Sequence, residues 1–548
     1  MKASDLLVKA LENEGVEYIF GIPGEENLDV LESLRKSSIE LIVTRHEQAA
    51  GFMAATFGRL TGKPGVCIST LGPGATNLLT SAAYAQLGAM PMIMITGQKP
   101  VINRKQAAFQ VLDVIDMMKP VTKHTRQIFS ASTIPYRVRE AFRIATHEPP
   151  GVTHLELPED IAEQDVKERL VTREPYHSVG HAVEGDLERV ADLLKNAKLP
   201  LIMIGANAKR QTNCEAIAAF IERTKIPFFC TQMGKGVVDE RSEQYLGTAA
   251  LSDNDYVHDA IKAADLVLNI GHDIVEKPPF YTQPDVGKDV IHVNYHPAKI
   301  VEVYQPKYEL VGNIENSVKR LADKIGSGHW DFNFFKKVKT QQEELIYKDK
   351  QEDRYPITPQ HLVNTVRKVM PDDSILALDN GMYKVWFARN YKSYHPSGIL
   401  LDNALASMGA GLPSALAAKM VHPDRKVMAI CGDGGFMMNS AEMETAVRLG
   451  IDLTVLIVND KALGMIRWKQ EDMGFENYGL DLSNPDFVKY AESYGAKGTR
   501  IESAEEFEDK LRSCVSGKGV HLIEVPIDYS ENEKVFGKEI KNRDLITP

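Results

Sequence analysis

Cysteine is scarce in this chain and is never clustered. Only five cysteines occur among the 548 residues, with no CxxC pair and no spacing typical of metal ligands. They are Cys67, Cys214, Cys230, Cys431 and Cys514, most of them in apolar runs such as PGVCIST and VMAICGDG. A disulfide framework and a cysteine-based metal site are therefore not expected, and the pattern predicts buried, reduced thiols.

Long apolar segments and an excess of positive charge are also lacking. No window approaches the ~20 apolar residues that a membrane-spanning helix needs. The N-terminal stretch MKASDLLVKALENEGVEYIF contains acids throughout and does not resemble a secretory signal. The formal net charge of -11 argues against a nucleic acid or an anionic membrane as partner. Together these features predict a cytoplasmic protein.

Two common nucleotide-binding motifs are missing as well. The chain has no GxxxxGK[ST], and LGPGATN lacks the spacing of a strand-linked GxGxxG. Binding of a nucleotide through a P-loop or a dinucleotide-type glycine turn is therefore not expected.

The chain is too long for one hydrophobic core, and short apolar runs alternate with helical patterns along its length. Runs such as PGVCIST, LPLIMIGAN and LTVLIV are typical of parallel strands that are covered on both faces. The pattern predicts an α/β protein of three doubly wound domains with parallel sheets, at residues 1–165, 185–328 and 355–530, followed by a tail at 531–548. The polar composition of the tail fits either disorder or a lid. In the first domain, SDLLVKALENEGV predicts an amphipathic helix with Ser4 as its N-cap.

Two acidic residues follow neighbouring predicted strands in the third domain. Asp433 lies in a glycine turn after VMAIC, and Asp460 comes directly after LTVLIV. Because both turns of a right-handed crossover lie at one sheet edge, we expect these carboxylates side by side, where Mg²⁺ would relieve their repulsion. Gly434 and Gly435 leave backbone N–H groups free at a helix start, which favours a phosphate. Metal and phosphate together predict a diphosphate ligand, and a plain acidic turn is the alternative.

With these motifs the sequence resembles the thiamine-diphosphate enzyme family. The GDG turn and the later Asn459-Asp460 pair match that family's metal and diphosphate signature. The segments GIPGEEN, RHEQAAGFMAATFGRLTGKPGV and STLGPGATN match its other half in the expected order, and the second of them carries Glu47. The resemblance covers nearly the whole chain and implies a pyrimidine-binding, a central and a diphosphate-binding domain.

The resemblance also implies roles for particular residues. Glu47 is expected to bond the aminopyrimidine ring of the cofactor and to promote loss of the thiazolium proton. Met408 is expected to wedge the cofactor into its bent conformation. The positions implied in cofactor binding are Pro23, Gly24, Gly72, Asn77, Gly381, Met382, Met408, Gly432, Gly434, Gly435 and Met465; those implied in metal binding are Asp433, Asp460 and Ala462. A homodimer or homotetramer with the active site at the dimer interface is implied as well.

Within the family the chain looks like the acetolactate synthases, especially the catabolic type that needs no flavin. MITGQKP, VNDKALGMI, KYAESYGAKGTRIES and EVPIDYSENEKV carry this likeness. IGHDIVEKPP stands where the flavin-binding members have an RFDDR-like run, and Asn294 stands where an acid is usual, so FAD is not expected. The implied reaction decarboxylates one pyruvate and ligates the hydroxyethyl unit to a second. Gln110 is implied as a catalytic residue that also contacts the substrate, and Phe109 and Trp468 are implied as further substrate residues. The alternative for Trp468 is that its ring only packs against the core.

Three alternative functions stay open. A 2-keto acid decarboxylase on the same scaffold would release an aldehyde, but such enzymes usually carry adjacent histidines, whereas His46, His124 and His154 are isolated here. A flavin-dependent pyruvate oxidase would need the missing FAD motifs. A non-catalytic relative would be indicated by loss of the motif acids, all of which are present.

Overall fold

The computed structural model describes residues 1–102, 106–167, 169–173, 179–276, 288–347, 353–540 and 543. It forms two compact units. One comprises residues 1–178, 405–423 and 439–451, and the other comprises residues 179–404, 424–438 and 452–548.

Within the described residues the architecture is α/β with three sheets, each of six parallel strands. The first sheet has the order β2-β1-β3-β4-β6-β5 and consists of β1 (Tyr18–Gly21), β2 (Glu40–Val43), β3 (Gly65–Ser69), β4 (Met92–Gln98), β5 (His124–Gln127) and β6 (Val152–Pro158). The second has the order β12-β11-β10-β7-β8-β9 and consists of β7 (Pro200–Ile204), β8 (Phe228–Thr231), β9 (Tyr245–Ala249), β10 (Leu266–Ile270), β11 (Asp289–Asn294) and β12 (Tyr308–Val311). The third has the order β14-β13-β15-β16-β18-β17 and consists of β13 (Ile375–Leu378), β14 (Ile399–Leu400), β15 (Val427–Gly432), β16 (Leu453–Asn459), β17 (Lys497–Arg500) and β18 (Val520–Pro526). The predicted fold class is confirmed.

Helices connect the strands in all three regions. Those of the first region are α1 (Ala3–Glu14), α2 (Leu28–Arg35), α3 (Glu47–Thr61), α4 (Pro73–Asn77), α5 (Leu79–Leu87), α6 (Val114–Met118), α7 (Ile134–Thr146) and α8 (Glu159–Ala162). Those of the second are α9 (Glu184–Asn196), α10 (Gln211–Thr224), α11 (Val257–Ala263), α12 (Ile314–Ile325) and α13 (Asn333–Ile346). Those of the third are α14 (Pro359–Val369), α15 (Met382–Asn390), α16 (Gly411–Val421), α17 (Asp433–Met438), α18 (Glu442–Arg448), α19 (Gly464–Asp472), α20 (Phe487–Ser493) and α21 (Phe507–Ser516).

The strands are buried because helices cover both faces of each sheet. The seven residues of β4, of β6 and of β16 are all buried, as continuous apolar runs in a parallel sheet should be. In the first unit α16 packs against α3, and the hydroxyl of Thr56 donates to that of Ser414 at 3.0 Å. Among the described residues, no helix is both long and apolar enough to cross a membrane.

The start of α1 differs from the prediction. The helix begins at Ala3, and the backbone N–H of Lys2 donates to the Asp5 carboxylate at 3.1 Å. Ser4 lies buried inside the helix, where its hydroxyl accepts a hydrogen bond from Ser33 of α2 at 3.0 Å. The prediction of Ser4 as N-cap is therefore wrong, because packing between the two helices uses the hydroxyl that a cap would need.

Two smaller predictions concern the cysteines and the tail. All five cysteines are unpaired and buried, as predicted. The described part of the tail is ordered against the third sheet: residues Glu533–Glu539 form a π-helical segment, and the Phe536 ring lies 4.7 Å from that of Trp386 between centroids. Residues 541–542 and 544–548 of the tail lie outside the described residues.

Candidate active site

Asp433 and Asp460 are held at the same edge of the third sheet. Strands β15 and β16 run parallel with Gly432 opposite Val458, so Asp433, the first residue of α17, and Asp460, just after β16, follow adjacent strand ends. Burial raises the pKa of Asp433, although a hydrogen bond from Asn484 opposes this. Burial and then the charge of Asp433 raise the pKa of Asp460 to about 7. The two acids therefore share one buried site in which their charges repel.

The surroundings of Asp460 suit a divalent cation. Its Oδ2 atom is buried and has no hydrogen-bond partner among the residues that the structure describes. Gly464 leaves space for this oxygen, since a Cβ atom there would lie 2.4 Å from it. Ala462, in the same loop, is buried. A cation would satisfy the unpartnered oxygen and offset the repulsion between the two carboxylates.

The donor set also bears on which cation fits. Within the described parts of the chain, no group of three or more His, Cys, Asp or Glu side chains is placed to hold a metal ion. Zinc sites usually take three or four such ligands, whereas Mg²⁺ is commonly held by one or two carboxylates with water or phosphate oxygens. Asp433 and Asp460 supply two carboxylates, which are oxygen donors of the kind that hard cations take.

Asn484, which sequence reasoning missed, binds two of the signature residues. Its Nδ2 donates to Asp433 Oδ2 at 2.6 Å and to Asn459 Oδ1 at 3.1 Å. Asn459 in turn donates from Nδ2 to Oε1 of the buried Glu524 at 2.6 Å, so its amide nitrogen faces the neighbouring strand β18. The NPD sequence at the start of α20 was the only available signal, and that tripeptide suggests a helix cap rather than a site.

The predicted phosphate-binding glycines Gly434 and Gly435 directly follow Asp433 in the chain. Gly434 and Gly435 form the first turn of α17, and a Cβ atom at Gly435 would lie 2.9 Å from Asp379 Oδ2. Gly432 and Gly381 both lie against the Tyr383 ring, where added Cβ atoms would approach it at 3.1 and 2.5 Å. The close packing favours residues without a side chain at Gly381, Gly432 and Gly435.

Helix α15 and helix α19 carry the other predicted residues of the second unit. Met382 is buried at the start of α15. Met465 and Trp468 of α19 are partly buried and pack against the core of the third sheet. The Trp468 ring lies 5.7 Å from that of Phe536, and the Lys469 ammonium lies 4.1 Å from its centroid. Packing, the alternative reading for this tryptophan, is therefore observed, and its substrate role stays a prediction.

In the first unit, Glu47 is buried at the start of α3. His46 caps the helix, because its Nδ1 accepts from the backbone N–H of Gln48 at 3.0 Å. Only 8% of Glu47 is exposed, and its Oε2 accepts from Asn77 Nδ2 at 2.9 Å. A Cβ atom at Gly74 would lie 3.3 Å from Glu47 Oε1. Helix α4, which follows the glycine turn after β3, thus packs directly against this carboxylate, as expected if the two segments form one site.

The segment before Glu47 is fixed by a second acid that the sequence analysis did not identify. Oε1 of Glu442, a residue with no exposed surface, accepts from the backbone N–H groups of Arg45 and His46 at 2.9 and 3.1 Å. Burial raises the pKa of Glu442, and hydrogen bonds from Thr445 and these N–H groups oppose the shift. Glu442 therefore fixes the backbone of Arg45 and His46, the two residues that precede Glu47.

The early glycine turn and the Phe109-Gln110 segment complete the first unit. Pro23 is exposed, whereas Gly24 packs against Thr70 so closely that a Cβ atom would lie 2.3 Å away. Gly72 has a φ of 51°, and a Cβ atom there would lie 3.0 Å from the Gln110 carbonyl oxygen. Gln110 itself has a φ of 57° and is exposed, and Phe109 is 60% exposed.

Met408 and His154 both lie in the first unit. Met408 is half-buried in the loop before α16 and belongs to the first unit, as Glu47 does. His154 is fully buried in β6, with its two ring nitrogens bonded to the hydroxyls of Thr96 at 2.9 Å and Thr125 at 2.7 Å. This histidine is a structural member of the first sheet.

Comparison with known proteins identifies the three regions. The "Thiamine pyrophosphate enzyme, N-terminal TPP binding domain" matches residues 1–117, the "central domain" matches residues 187–321, and the "C-terminal TPP binding domain" matches residues 379–525. The chain belongs to the thiamine pyrophosphate enzyme family. Members of this family use thiamine diphosphate, and the chain is a thiamine diphosphate-dependent enzyme.

Relatives in this family match the chain from end to end. An "Acetolactate synthase" of Bacillus subtilis is 31% identical over 99% of this chain and 98% of the relative. A "Probable acetolactate synthase large subunit" of Methanocaldococcus jannaschii is 33% identical over 97% and 93%, and an "Acetolactate synthase, catabolic" of Raoultella terrigena is 31% identical over 98% and 96%. The predicted resemblance to acetolactate synthases is confirmed.

Proposed function

We propose that this enzyme forms acetolactate by decarboxylating one pyruvate and joining the remaining two-carbon unit to a second pyruvate. The observation that carries the proposal is the buried Glu47 at the start of α3, bonded to Asn77, in a chain that matches acetolactate synthases over its full length. A carboxylic acid in such a place can exchange a proton with a bound heterocycle while water is kept away.

The residues of the first unit would hold the reactive end of the cofactor. When bound, thiamine diphosphate would supply a carbon acid that, once deprotonated, can add to the ketone of a 2-keto acid and can take up the electron pair released with carbon dioxide. Glu47 would hold or release a proton at its carboxylate, Asn77 would orient that carboxylate, and Met408 would supply an apolar surface. Pro23, Gly24 and Gly72 would let backbone approach the ring.

The residues of the second unit would hold the diphosphate and its metal. Asp433, Asp460 and Ala462 would bind Mg²⁺, which neutralises phosphate charge as well as the two acids. Gly381, Gly432, Gly434 and Gly435, with Met382 and Met465, would line the cofactor. The unpartnered Asp460 oxygen and the repelling pair support this assignment.

The proposal also covers the residues that select the substrate, the oligomeric state and the location of the enzyme. Gln110 and Phe109 would face the substrate from their exposed loop, with Trp468 shaping the acceptor side. Because the family divides each active site between two chains, we propose a homodimer or homotetramer in the cytoplasm. The domain division at residues 1–165, 185–328 and 355–530 likewise stays a prediction.

We further propose that the enzyme binds no FAD. In the second sheet the Asn294 side chain is buried and engaged with backbone, donating to the His272 carbonyl at 2.9 Å and accepting from the Tyr295 N–H at 2.9 Å. Lys277 to Pro279 of the segment IGHDIVEKPP lie outside the described residues. Purified protein should be colourless, and a flavin absorption band that survives dialysis would contradict this proposal.

Product analysis tests the proposed reaction against the alternative of a 2-keto acid decarboxylase. Purified protein is incubated with thiamine diphosphate, Mg²⁺ and pyruvate, and acetolactate and acetaldehyde are measured in parallel. Acetolactate as the main product is expected. Acetaldehyde as the main product, or faster turnover of longer 2-keto acids, would favour the decarboxylase.

A further inference from the structure

The loop that follows β16 is attached to a second segment of the same unit. The backbone N–H of Leu463 donates to the Leu480 carbonyl at 3.1 Å, and that of Leu482 donates to the Lys461 carbonyl at 2.8 Å. Ala462 and Asp481 form an antiparallel bridge between these bonds. The segment at residues 480–484, which we call the bracing segment, therefore runs along the loop that contains Asp460 and Ala462.

Asn484 ends the bracing segment, and its side chain crosses to the two strand ends. An amide nitrogen has two hydrogens, and here one is given to Asp433 Oδ2 at 2.6 Å and the other to Asn459 Oδ1 at 3.1 Å. The reverse amide orientation would place its oxygen against the Asp433 carboxylate, which only accepts hydrogen bonds. Asn484 is therefore held in one orientation, and it restricts rotation of the Asp433 carboxylate.

A ring of polar contacts leads from Asn484 back to its own segment. Asn459 donates to Glu524 Oε1 at 2.6 Å, and Arg500 Nε donates to Glu524 Oε2 at 2.7 Å. Arg500 also donates to Asp486 Oδ1 at 3.0 Å, and Asp486 caps α20 two residues after Asn484. Asp433 and Asn459 are both buried, so moving Asn484 would leave a buried oxygen of each without this partner.

We propose that Asn484 is a positioning residue for the metal site: it fixes the orientation of the Asp433 carboxylate so that this side chain can bind Mg²⁺. The inference rests on the proposed Mg²⁺ site. Groups that hydrogen-bond to a metal ligand orient it, and removing one typically lowers metal affinity by about 10–100-fold.

Calorimetric titration of Mg²⁺ into the full chain with saturating thiamine diphosphate tests this role. Asn484→Ala should raise the Kd for Mg²⁺ by about 10–100-fold, and Asn484→Ser, which keeps a single donor, should fall between this variant and the parent. Asn477→Ala is the matched control, since Asn477 is exposed and its amide donates to Glu471 at 3.1 Å. The control should bind Mg²⁺ as the parent does.

Two further readouts separate positioning from a merely structural effect. The Mg²⁺ concentration that gives half-maximal activity should rise in Asn484→Ala, while kcat at saturating Mg²⁺ changes much less. A structural role alone would lower the metal-free melting temperature and leave the Kd for Mg²⁺ unchanged. An unchanged Kd in Asn484→Ala, or in Asn484→Ser if the alanine variant does not fold, would overturn the inference.

The outcome is also distinguishable from failure of the proposed function. A parent protein that shows no Mg²⁺-dependent binding of thiamine diphosphate would overturn the metal site and this inference together. A parent that binds both but releases acetaldehyde would overturn only the proposed reaction, and the role of Asn484 would stand on its Kd.

Discussion

The carboxylate of Glu47 accepts a hydrogen bond from the side-chain amide of Asn77 at 2.9 Å. The two residues come from different helices, α3 and α4, and Gly74 of α4 leaves room for the carboxylate, since a Cβ atom there would lie 3.3 Å from Glu47 Oε1. The Asn77 amide therefore fixes the orientation of the Glu47 carboxylate.

Replacement of Glu47 by glutamine separates orientation from proton transfer. Glu47→Gln keeps an oxygen for Asn77 but has no proton to exchange, so thiamine diphosphate should still bind while kcat falls by at least about 100-fold. Affinity is measured by calorimetry and turnover by acetolactate formation. The exposed Glu40 supplies a control with the same change in charge, and Glu40→Gln should behave as the parent does. Near-normal turnover of Glu47→Gln would remove Glu47 from the mechanism.

The fold could be predicted from apolar runs that recur along the chain, because each run has the same physical cause, namely burial of a strand. Continuous apolar runs such as MPMIMITG and LTVLIV predict strands covered on both faces, and the structure has three parallel sheets. The neighbouring positions of Asp433 and Asp460 also follow from the pattern, because the ends of adjacent parallel strands meet at one edge. These predictions depend only on local sequence and on the handedness of the crossover.

Contacts between distant segments could not be predicted in the same way. Asn484 reaches Asp433, and Glu442 reaches the backbone of Arg45, only because separate elements pack together. Ser4 has the composition of an N-cap, yet tertiary packing buries it inside α1. Such contacts arise from tertiary packing, so one sequence read by local patterns does not reveal them.

Removal of Asp433 should uncouple cofactor binding from magnesium. Asp433→Ala leaves Asp460 without its paired carboxylate, so Mg²⁺-dependent retention of thiamine diphosphate should be lost. Retention is measured by gel filtration of the loaded protein with and without Mg²⁺, followed by cofactor quantification. Asp372→Ala is a suitable control because the Asp372 side chain is 64% exposed and pairs with Arg241. Unchanged retention in Asp433→Ala would rule out the metal assignment.

A single methyl group at Gly464 should weaken the metal site without unfolding the protein. The added Cβ atom would lie 2.4 Å from Asp460 Oδ2, the end of a side chain that can rotate away at low cost. Gly464→Ala should therefore raise the Kd for Mg²⁺ on the order of tenfold, with little change in melting temperature. At Gly185 an added Cβ atom meets no atom within 4 Å in the described structure, so Gly185→Ala is the matched control. Equal Mg²⁺ affinity in both variants would argue against a role for Asp460.

The buried His154 should make the protein less stable in mild acid. Burial lowers the pKa of His154 from 6.5 to about 3. Between pH 6.5 and pH 3 the unfolded chain therefore binds a proton at this histidine that the folded chain does not bind. This contribution to stability is complete above pH 6.5 and is lost progressively as the pH falls towards 3. At pH 5 the loss should be about 2 kcal/mol.

Unfolding in urea at pH 7.5 and pH 5.0 measures this effect by difference. His154→Gln is neutral at both pH values, and its amide can still bond the hydroxyls of Thr96 and Thr125, so its unfolding midpoint should fall less on acidification than that of the parent. His147→Gln removes an exposed histidine from the end of α7 and should keep the parent's pH dependence. Buried histidines elsewhere in the chain act equally on the parent and both variants, so they cancel in this comparison. An equal drop in midpoint for His154→Gln and the parent would show that His154 takes up its proton in the folded protein.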